Sequence, residues 1–447
     1  MSKYDVVIVG AGPAGIFCAL ELAKKEGISV ALFEKGPDID ARTRQKSLLT
    51  GWGGAGAFSD GKLTLSPEVG GQLNTFLPDR TLQDLIREVD RIYIDFGAPD
   101  KVYGTDEDEL AEIQRKATLA DLRLIPSHIR HMGTDACPEI LRKMRDDIRG
   151  TVDIHTDTAV ASILTKDSVV TGIETSNGET VEADYVIVGP GREGADWLAC
   201  EARRLGLKTV NNPVDVGVRV EIPAPVMETL TNAVYEPKLV YNAPTFDDRV
   251  RSFCVCPHGE VVLEQGDGVM SVNGHSYARK KTENTNFALL VSTSFTEPFR
   301  EPITYGRYLA TLANLLSGGV IVQRLGDLQA GRRSTQSRID RGAVRPTLEA
   351  AVPGDLSFVL PYRHLCGIME MLAALDHLAP GVGSRHTLLY GVEVKFYSSR
   401  IELSPSLETA VKNLFAIGDG AGVTRGLVQA AASGLVAARE VAARAEK

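Results

Sequence analysis

Two short apolar runs near the start of the chain enclose a segment with helical spacing. Residues 4–9 and 28–33 are rich in Val, Ile, Leu and Phe and carry few polar side chains. Runs of this composition are typical of strands that are buried on both faces of a parallel sheet. Between them, residues 16–25 place small and apolar side chains at helical intervals and end before Gly27. The pattern predicts a strand–helix–strand unit over residues 4–34.

Further along the chain the period of the pattern changes several times. Residues 76–150 have charged faces at helical spacing, whereas residues 151–189 alternate like strands and include the hairpin signal Asn177-Gly178. Residues 213–400 mix strand-like and helical stretches, and residues 414–437 form a strand, a glycine-rich turn and a helix of small residues. A chain of 447 residues with this alternation predicts an α/β protein of more than one domain.

The first turn has the spacing G-x-G-x-x-G, with glycines at positions 10, 12 and 15. Gly10 allows the tight turn, Gly12 lets a pyrophosphate approach the backbone, and Gly15 lets the helix pack on the strand. The helix N-terminus offers N–H groups to phosphates, and Pro13 suits its first turn. Glu34, at the end of the second strand, is positioned to accept hydrogen bonds from ribose hydroxyls. Together these features predict a dinucleotide site.

Another glycine-rich stretch spans residues 50–63 and includes Trp52 and Phe58. Glycine at this density is typical of a backbone that a phosphate or a planar group approaches closely. The two aromatic side chains argue against a mobile surface loop.

A second G-x-G-x-x-G, at Gly189, Gly191 and Gly194, also follows a predicted strand. It has two interpretations: a separate NAD(P) site, or a structural turn that closes on the first nucleotide site. No strand ending in a ribose-reading residue follows at the expected spacing of ~20 residues, so we favour the structural interpretation.

The two ends of the chain together resemble the FAD-binding domain of glutathione-reductase-type flavoproteins. Residues 53–63, 254–262 and 271–279 are similar to a bacterial family of FAD-dependent dehydrogenases, the NAD(P)/FAD-dependent oxidoreductases. The resemblance implies an α/β fold, with FAD bound by a Rossmann-type domain of three layers (β/β/α) and an inserted α+β substrate domain.

The resemblance also implies a division of the chain. The FAD-binding domain is expected to comprise residues 1–75, 151–212 and 401–447. Residues 76–150 are expected to form a helical insertion, and residues 213–400 the substrate or cap domain.

Candidate cofactor-binding residues follow from the motifs and the resemblance. Those of the first turn and second strand are Gly10, Gly12, Pro13, Ala14, Gly15, Glu34, Lys35 and Arg42. Those of the second glycine-rich stretch are Gly53, Gly54, Ala55, Ser59, Gly61 and Lys62. Those of the middle segment are Val160, Gly189 and Gly191. Those near the C-terminus are Gly418, Asp419, Gly426, Leu427 and Val428. By the resemblance, Asp419 holds the ribityl chain and the helix end at Gly426 faces the flavin pyrimidine edge.

The candidate catalytic residues are His258, His275, Tyr277 and Lys62, since His and Tyr suit proton transfer. Arg279 would suit a substrate carboxylate. A purely structural role at a sheet edge is at least as good an interpretation for the two histidines His258 and His275, for Tyr277 and for Arg279.

Two residue groups invite a metal hypothesis that we do not favour. His128 and His131 are spaced for a metal but no carboxylate accompanies them at matching spacing. Cys254 and Cys256, near His258, could form a metal or redox site, but they would lie on one face of a strand, which holds the two sulfurs apart. We therefore predict small buried side chains here and no metal site.

The formal net charge of −9 argues against a protein built to bind nucleic acid or an anionic membrane. The six cysteines lack C-x-x-C spacing, and the chain has neither a signal-peptide pattern nor an apolar run of ~18 residues. We expect a cytoplasmic flavoprotein with reduced thiols.

The expected activity is that of an FAD-dependent oxidoreductase, a dehydrogenase that transfers a hydride between a small organic substrate and flavin N5. Three alternatives stay open: a reductase of an alkene or lipid intermediate, a flavin monooxygenase with NAD(P)H as external electron donor, and a flavin-dependent RNA-modification factor. The sequence leaves the oligomeric state open.

Overall fold

The computed structural model describes residues 2–43, 47–210, 212–266, 268–277, 280–295, 301–395 and 400–445. The chain divides into two compact units. Unit 1 comprises residues 1–101, 130–212 and 397–447, and unit 2 comprises residues 102–129 and 213–396. The stretch 76–150, expected as one helical insertion, is therefore divided between the two units.

The strands are numbered in chain order as β1 (Ser2–Val9), β2 (Val30–Phe33), β3 (Lys62–Thr64), β4 (Val102–Tyr103), β5 (Arg123–Ile125), β6 (Ile129–His131), β7 (Val152–His155), β8 (Val160–Lys166), β9 (Val169–Thr175), β10 (Thr180–Val188), β11 (Thr209–Val210), β12 (Val214–Pro223), β13 (Lys238–Ala243), β14 (Asp248–Cys256), β15 (Glu260–Gly266), β16 (Val269–His275), β17 (Asn284–Thr293), β18 (Ile321–Arg324), β19 (Val352–Pro353), β20 (Leu388–Lys395), β21 (Arg400–Ile401) and β22 (Leu414–Ala416).

The helices are α1 (Pro13–Leu22), α2 (Asp79–Asp95), α3 (Glu107–Leu119), α4 (Cys137–Ile148), α5 (Ala195–Arg204), α6 (Glu228–Val234), α7 (Pro302–Ser317), α8 (Leu325–Gln329), α9 (Gln336–Asp340), α10 (Tyr362–Leu378) and α11 (Leu427–Ala445). Among the described residues, none of these helices is long and apolar enough to cross a lipid bilayer.

Unit 1 is built on a sheet whose first four strands, β7–β2–β1–β10, run parallel, and β22 also pairs in parallel with β10. Residues 6–8 of β1 are fully buried, as expected for a central strand that is covered on both faces. β9 and β8 add an antiparallel meander to the first half of β10. α1 packs against both β1 and α11. The predicted α/β fold with a parallel Rossmann-type sheet is confirmed.

Unit 2 contains a sheet of order β19–β18–β20–β12–β17–β14–β13–β5, antiparallel except at the β18–β19 pair. β12 and β17 pair over ten residues, from Val214 with Thr293 to Pro223 with Asn284. α10 packs against β12, β13, β14 and β17, and α7 packs against β20 and β16. β15 and β16 form a separate hairpin. The predicted α+β character of this part of the chain is thus observed.

Candidate functional site

The carboxyl ends of four parallel strands meet at one edge of the unit 1 sheet. Gly10 N–H donates to Phe33 O at 2.7 Å, which joins the end of β1 to β2. Gly189 N–H donates to Val9 O at 2.8 Å, and Ile417 N–H donates to Val188 O at 2.9 Å. Ligands of open α/β sheets bind at this edge. The three glycine motifs predicted from the sequence, near residues 10, 189 and 418, therefore lie together.

Packing accounts for two of the first three glycines. A methyl group on Gly10 would lie 2.3 Å from Gly189 O, and Gly10 also has a φ of +99°. A methyl group on Gly15 would lie 1.9 Å from Gly10 O, so any side chain there would force α1 away from the turn. These contacts agree with the roles predicted for a tight turn and close helix packing.

Gly12 differs from both of its neighbours in the motif. It has an extended backbone with a φ of −77°, which any residue adopts, and it is the N-cap of α1. No atom of the described chain lies within 4 Å of the position that a Cβ would take. Neither conformation nor protein packing requires glycine here. The turn thus leaves open space in front of a helix N-terminus that no side chain of the described residues caps.

Glu34 organises the turn in a way that the sequence did not reveal. Its Oε2 accepts a hydrogen bond from the Ala11 N–H at 2.9 Å. Its Oε1 accepts from the N–H groups of Gly36 at 2.9 Å and Gly51 at 2.8 Å. A carboxylate has about four acceptor positions, so roughly one remains for a ribose hydroxyl. Glu34 therefore ties the first turn to the second glycine-rich stretch.

Arg42 is buried and fixes the start of that glycine-rich stretch. Its guanidinium donates to backbone carbonyls at 2.6–3.2 Å. The acceptors are the carbonyls of Ser47, Leu48, Gly51, Trp52 and Gly54. Its guanidinium carbon also lies 4.9 Å from the centre of the Phe58 ring. Burial lowers the pKa of Arg42 to about 10. In this structure the side chain organises the loop.

The second glycine-rich stretch lies directly against the first turn. Gly53 N–H donates to Ala11 O at 2.7 Å. A methyl group on Gly54, which has a φ of +52°, would lie 3.1 Å from the Gly12 Cα. Trp52 is fully buried and donates its indole N–H to Leu141 O at 2.9 Å. The buried indole agrees with the prediction that this stretch is not a mobile surface loop.

One glycine brings three predicted regions into contact. A methyl group on Gly56 would lie 3.1 Å from Leu427 Cδ2 and 3.4 Å from Pro13 Cγ. Leu427 is the first residue of α11, and Pro13 is the first residue of α1. Ala55 lies beside Gly56 in a short 3₁₀ helix, Gly54–Phe58. The N-terminal ends of both helices therefore lie beside the second glycine-rich stretch.

Asp419 follows β22 at the same sheet edge. Its Oδ1 accepts a hydrogen bond from Thr424 Oγ1 at 2.6 Å. Burial raises its pKa above the usual value, and the Thr424 bond and the charges of Arg192 and Arg425 act against this shift. A methyl group on Gly420 would lie 2.5 Å from Gly191 O, so the C-terminal turn packs on the middle glycine turn.

The start of α11 is hydrogen-bonded to residues 67–73, a contact that the sequence motifs did not predict. Gln429, a buried residue of α11, donates to Pro67 O at 3.2 Å and to Val69 O at 3.1 Å. It also accepts from the Leu73 N–H at 3.3 Å. Arg425 N–H donates to Gly70 O at 2.9 Å, just before Gly426. A polar Gln within a helix of small apolar residues was the one sequence signal for this contact.

The remaining unit 1 candidates lie around the edge of these turns. Lys62 forms an ion pair of 2.8 Å with Asp60, and its side chain is 7% exposed. Ser59 Oγ accepts from the Gly61 N–H at 3.2 Å. Lys35 lies 3.6 Å from Glu193 and is largely exposed. A fifth candidate, Val160, is the first residue of β8 and packs against the unit 1 core.

The candidate catalytic residues of unit 2 form a small polar group on the β15–β16 hairpin. Tyr277 donates its hydroxyl to Glu260 Oε1 at 2.9 Å, and the rings of His275 and Tyr277 are 6.5 Å apart. Burial acts to raise the pKa of Glu260, but hydrogen bonds from Lys280 and Tyr277 outweigh it and lower the pKa. Arg279, predicted to dock a carboxylate, lies outside the described residues.

His258 is anchored by the backbone at the start of the same hairpin. It has a φ of +49°, and its N–H donates to Thr285 Oγ1 at 3.4 Å. Its Nδ1 lies 3.0 Å from Thr282 O. The structure thus brings His275 and Tyr277 together and gives His258 a fixed orientation, whereas Lys62 belongs to unit 1.

Comparison with protein families gives three matches along the chain. The family model "FAD dependent oxidoreductase" matches residues 5–252. The model "FAD-dependent protein, C-terminal domain-like" matches residues 213–396, and "Glucose inhibited division protein A" matches residues 351–447. A Clostridium beijerinckii protein described as uncharacterized is 28% identical over 474 residues, covering 98% of this chain and 81% of its own length.

Solved structures of similar fold have low sequence identity. Glycine oxidase from Geobacillus kaustophilus is 16% identical with a TM-score of 0.40, covering 99% of this chain and 95% of its own. A geranylgeranyl bacteriochlorophyll reductase-like protein from Thermoplasma acidophilum is 14% identical with a TM-score of 0.45, covering 100% of this chain and 79% of its own.

Proposed function

This chain belongs to the family of FAD dependent oxidoreductases, whose model covers residues 5–252, and we propose that it is a dehydrogenase for a small organic substrate. Its cofactor is FAD. When bound, FAD accepts or donates a hydride at N5.

The open space at Gly12 is the observation that carries the proposal. Glycine is required there neither by backbone conformation nor by packing, but a side chain would fill the space before the α1 N-terminus. Backbone N–H groups and the positive end of the helix dipole suit a pyrophosphate at that position. We assign the pyrophosphate of FAD to the turn Gly10–Gly15, as in glutathione-reductase-type flavoproteins.

The other contacts to FAD extend from this turn in two directions. Glu34 has room for about one more hydrogen bond and is assigned to the adenosine ribose. Asp419 is assigned to the ribityl chain, because it lies at the carboxyl end of β22 beside the first turn. The start of α11 at residues 426–428 is assigned to the flavin pyrimidine edge, where its positive dipole end stabilises negative charge. Arg42 and Gln429 act by positioning the two loops.

Proton transfer to or from the substrate is assigned to the candidates His258, His275, Tyr277 and Lys62. Tyr277 is the strongest of these in unit 2, because Glu260 holds its hydroxyl in a defined direction. Glu260 also accepts a hydrogen bond from Lys280, whose positive charge balances the negative charge of Glu260.

We further propose a cytoplasmic protein without nucleic-acid or membrane partners, on the basis of its net charge of −9 and its cysteine spacing.

Anaerobic reduction of the purified holoprotein by a panel of small amines, amino acids, hydroxy acids and alcohols tests the proposed activity. A dehydrogenase loses its visible flavin absorbance with one compound class in the absence of NAD(P)H. Two other outcomes would replace the proposal. Reduction by NAD(P)H followed by oxygen insertion indicates a monooxygenase, and reoxidation of the reduced protein by an alkene indicates a reductase.

A further inference from the structure

The two cysteines of the C-x-C sequence in unit 2 lie much closer together than a regular strand would place them. Side chains two residues apart on a strand are separated by about 7 Å along the chain. The sulfur atoms of Cys254 and Cys256 are 3.8 Å apart, and no disulfide bond joins them. The expectation that the strand holds the two sulfurs apart is therefore wrong.

A β-bulge accounts for the short distance. The register of β14 against β17 shifts between Phe253 and Cys256. Cys254 has a φ of +47°, in the left-handed region that a residue with a side chain seldom adopts. Bulges of this kind redirect a side chain and recur near functional sites. Here the bulge turns the Cys254 sulfur toward Cys256.

The surrounding hydrogen bonds hold the strained backbone in place. Arg219 Nη1 donates to Cys254 O at 2.8 Å, and its Nη2 lies 3.3 Å from the same oxygen. The Cys256 thiol donates to that oxygen too, at 3.4 Å. Strained conformations persist only where neighbouring groups enforce them, and these groups belong to β12 and to β14 itself.

A network of four charged side chains, three of them buried, includes Arg219. Its Nε donates to Glu393 Oε2 at 2.9 Å, and both residues are 0% exposed. Lys395 Nζ lies 3.1 Å from Glu393 Oε1 and 3.5 Å from Glu264 Oε2. The network has two cations and two carboxylates, so its own charge is balanced. A thiolate beside Arg219 would be stabilised by the nearby guanidinium.

The pKa of Arg219 depends on its acidic partner and on the two cysteines. Burial acts to lower the pKa of Arg219, but Glu393 and then Cys254 and Cys256 raise it above the usual value. The thiolate is the form of cysteine that attacks a disulfide, and a nearby positive charge favours that form.

We propose that Cys254 and Cys256 form a reversible dithiol–disulfide pair, a modification site within unit 2. The co-reactant is a low-molecular-weight disulfide such as oxidised glutathione. Rotation of the two side chains must shorten the sulfur separation from 3.8 Å to the ~2.05 Å of a disulfide bond.

The reaction proceeds by two thiol–disulfide exchanges. The Cys254 thiolate attacks one sulfur of the external disulfide, whose S–S bond breaks and releases one thiolate that takes up a proton. The Cys256 thiol then loses its proton and attacks the Cys254 sulfur, releasing the second small thiol. Two protein thiols are oxidised and one external disulfide is reduced to two thiols.

The exposure of the two residues sets the order of attack. Cys254 is partly exposed, whereas Cys256 is 0% exposed. Reactive cysteines are accessible, and a neighbouring cysteine resolves the mixed disulfide. Cys254 is therefore the attacking residue and Cys256 the resolving residue.

Mass spectrometry of the holoprotein in glutathione redox buffers tests the pair. After acid quenching, alkylation in denaturant and trypsin digestion, residues 252–279 form one peptide whose only cysteines are Cys254 and Cys256. As the share of oxidised glutathione rises, this peptide should lose two hydrogen atoms and both alkylation sites, and a thiol reductant should restore them. A peptide alkylated at both positions in every buffer overturns the proposal.

Two single substitutions test the order of attack. Cys256→Ser should accumulate a glutathione mixed disulfide at Cys254, because the resolving thiol is gone. Cys254→Ser should leave Cys256 alkylatable after denaturation in every buffer. Equal mixed-disulfide formation in both variants contradicts the assigned order.

If either variant fails to fold, as judged by circular dichroism, the wild-type peptide still decides whether the pair forms. The exposed Cys200 is the internal control, expected to form only mixed disulfides.

Discussion

The Oε2 atom of Glu34 accepts a hydrogen bond of 2.9 Å from the N–H of Ala11, a residue between the first two glycines of the opening turn. The other carboxylate oxygen holds Gly36 and Gly51. One buried side chain thus fixes the turn that we assign to the pyrophosphate and the loop beside it. Its position at the end of β2 was predicted from the sequence, but its bonds to the protein backbone were not.

Glu34→Ala should destabilise the protein by about 3 kcal/mol, because buried N–H groups lose a charged acceptor. Denaturant unfolding of the FAD-free protein measures this loss without a contribution from the cofactor. Glu193→Ala is a matched control, since Glu193 forms a surface ion pair of 3.6 Å with Lys35; its effect should be below about 1 kcal/mol. Equal effects of the two substitutions would contradict the role given to Glu34.

Gly12→Val should abolish FAD retention and leave the FAD-free protein about as stable as the wild type. The valine side chain would fill the space assigned to the pyrophosphate but would meet no protein atom at its Cβ. Flavin content after purification and the unfolding midpoint of the FAD-free protein measure the two effects.

Gly15→Val is the contrasting variant for the same helix. Its Cβ would lie 1.9 Å from Gly10 O, so this substitution should destabilise the FAD-free protein strongly. A Gly12→Val protein that is fully loaded with FAD, or one as unstable as Gly15→Val, would refute the assignment of the turn.

Breaking the buried pair of Arg219 and Glu393 should destabilise the chain by about 3–5 kcal/mol, because one charge is left uncompensated. Glu393→Gln followed by denaturant unfolding measures this effect. Glu112→Gln is the control, since Glu112 pairs with Arg115 on the exposed surface of α3; it should leave the free energy of unfolding nearly unchanged. An equally small effect of Glu393→Gln would show that the network does not depend on its charge balance.

Acid should destabilise the protein in part through His364. Burial lowers the pKa of His364 to about 4, and its Nε2 lies 3.0 Å from Thr293 Oγ1. The unfolded state, with a histidine pKa of about 6.5, binds the proton first, so stability is full above that value and falls as pH decreases toward 4. Between about pH 7.5 and pH 5 this residue should contribute a loss of about 2 kcal/mol.

The variant His364→Gln isolates that contribution, since the other titrating groups are common to both proteins. Unfolding free energies of the wild type and the variant should converge as the pH is lowered from about 7.5 to 5. Parallel curves over this range would mean that His364 binds its proton as readily in the folded protein as in the unfolded chain.

The amino-acid sequence predicted the features that depend on residues close to one another along the chain. The run of apolar residues in β1 and the spacing of Gly10, Gly12 and Gly15 specify a strand, a turn and a helix without reference to the rest of the chain. The contact of Gln429 with Leu73 joins positions 356 residues apart and left only a weak trace in the sequence. The bulge at Cys254 depends on the register with β17 and on Arg219, which no local pattern reveals. β5 was missed within the predicted helical segment because three residues carry too little periodicity, and it pairs with β13 in unit 2.

Whether this chain binds FAD is decided by identifying and quantifying the flavin in the purified wild-type protein. After heat denaturation, the released cofactor is separated by chromatography and compared with the protein concentration. We expect one FAD per chain, either as purified or after incubation of the FAD-free protein with FAD. A folded protein that releases no flavin and takes up no FAD would contradict this expectation.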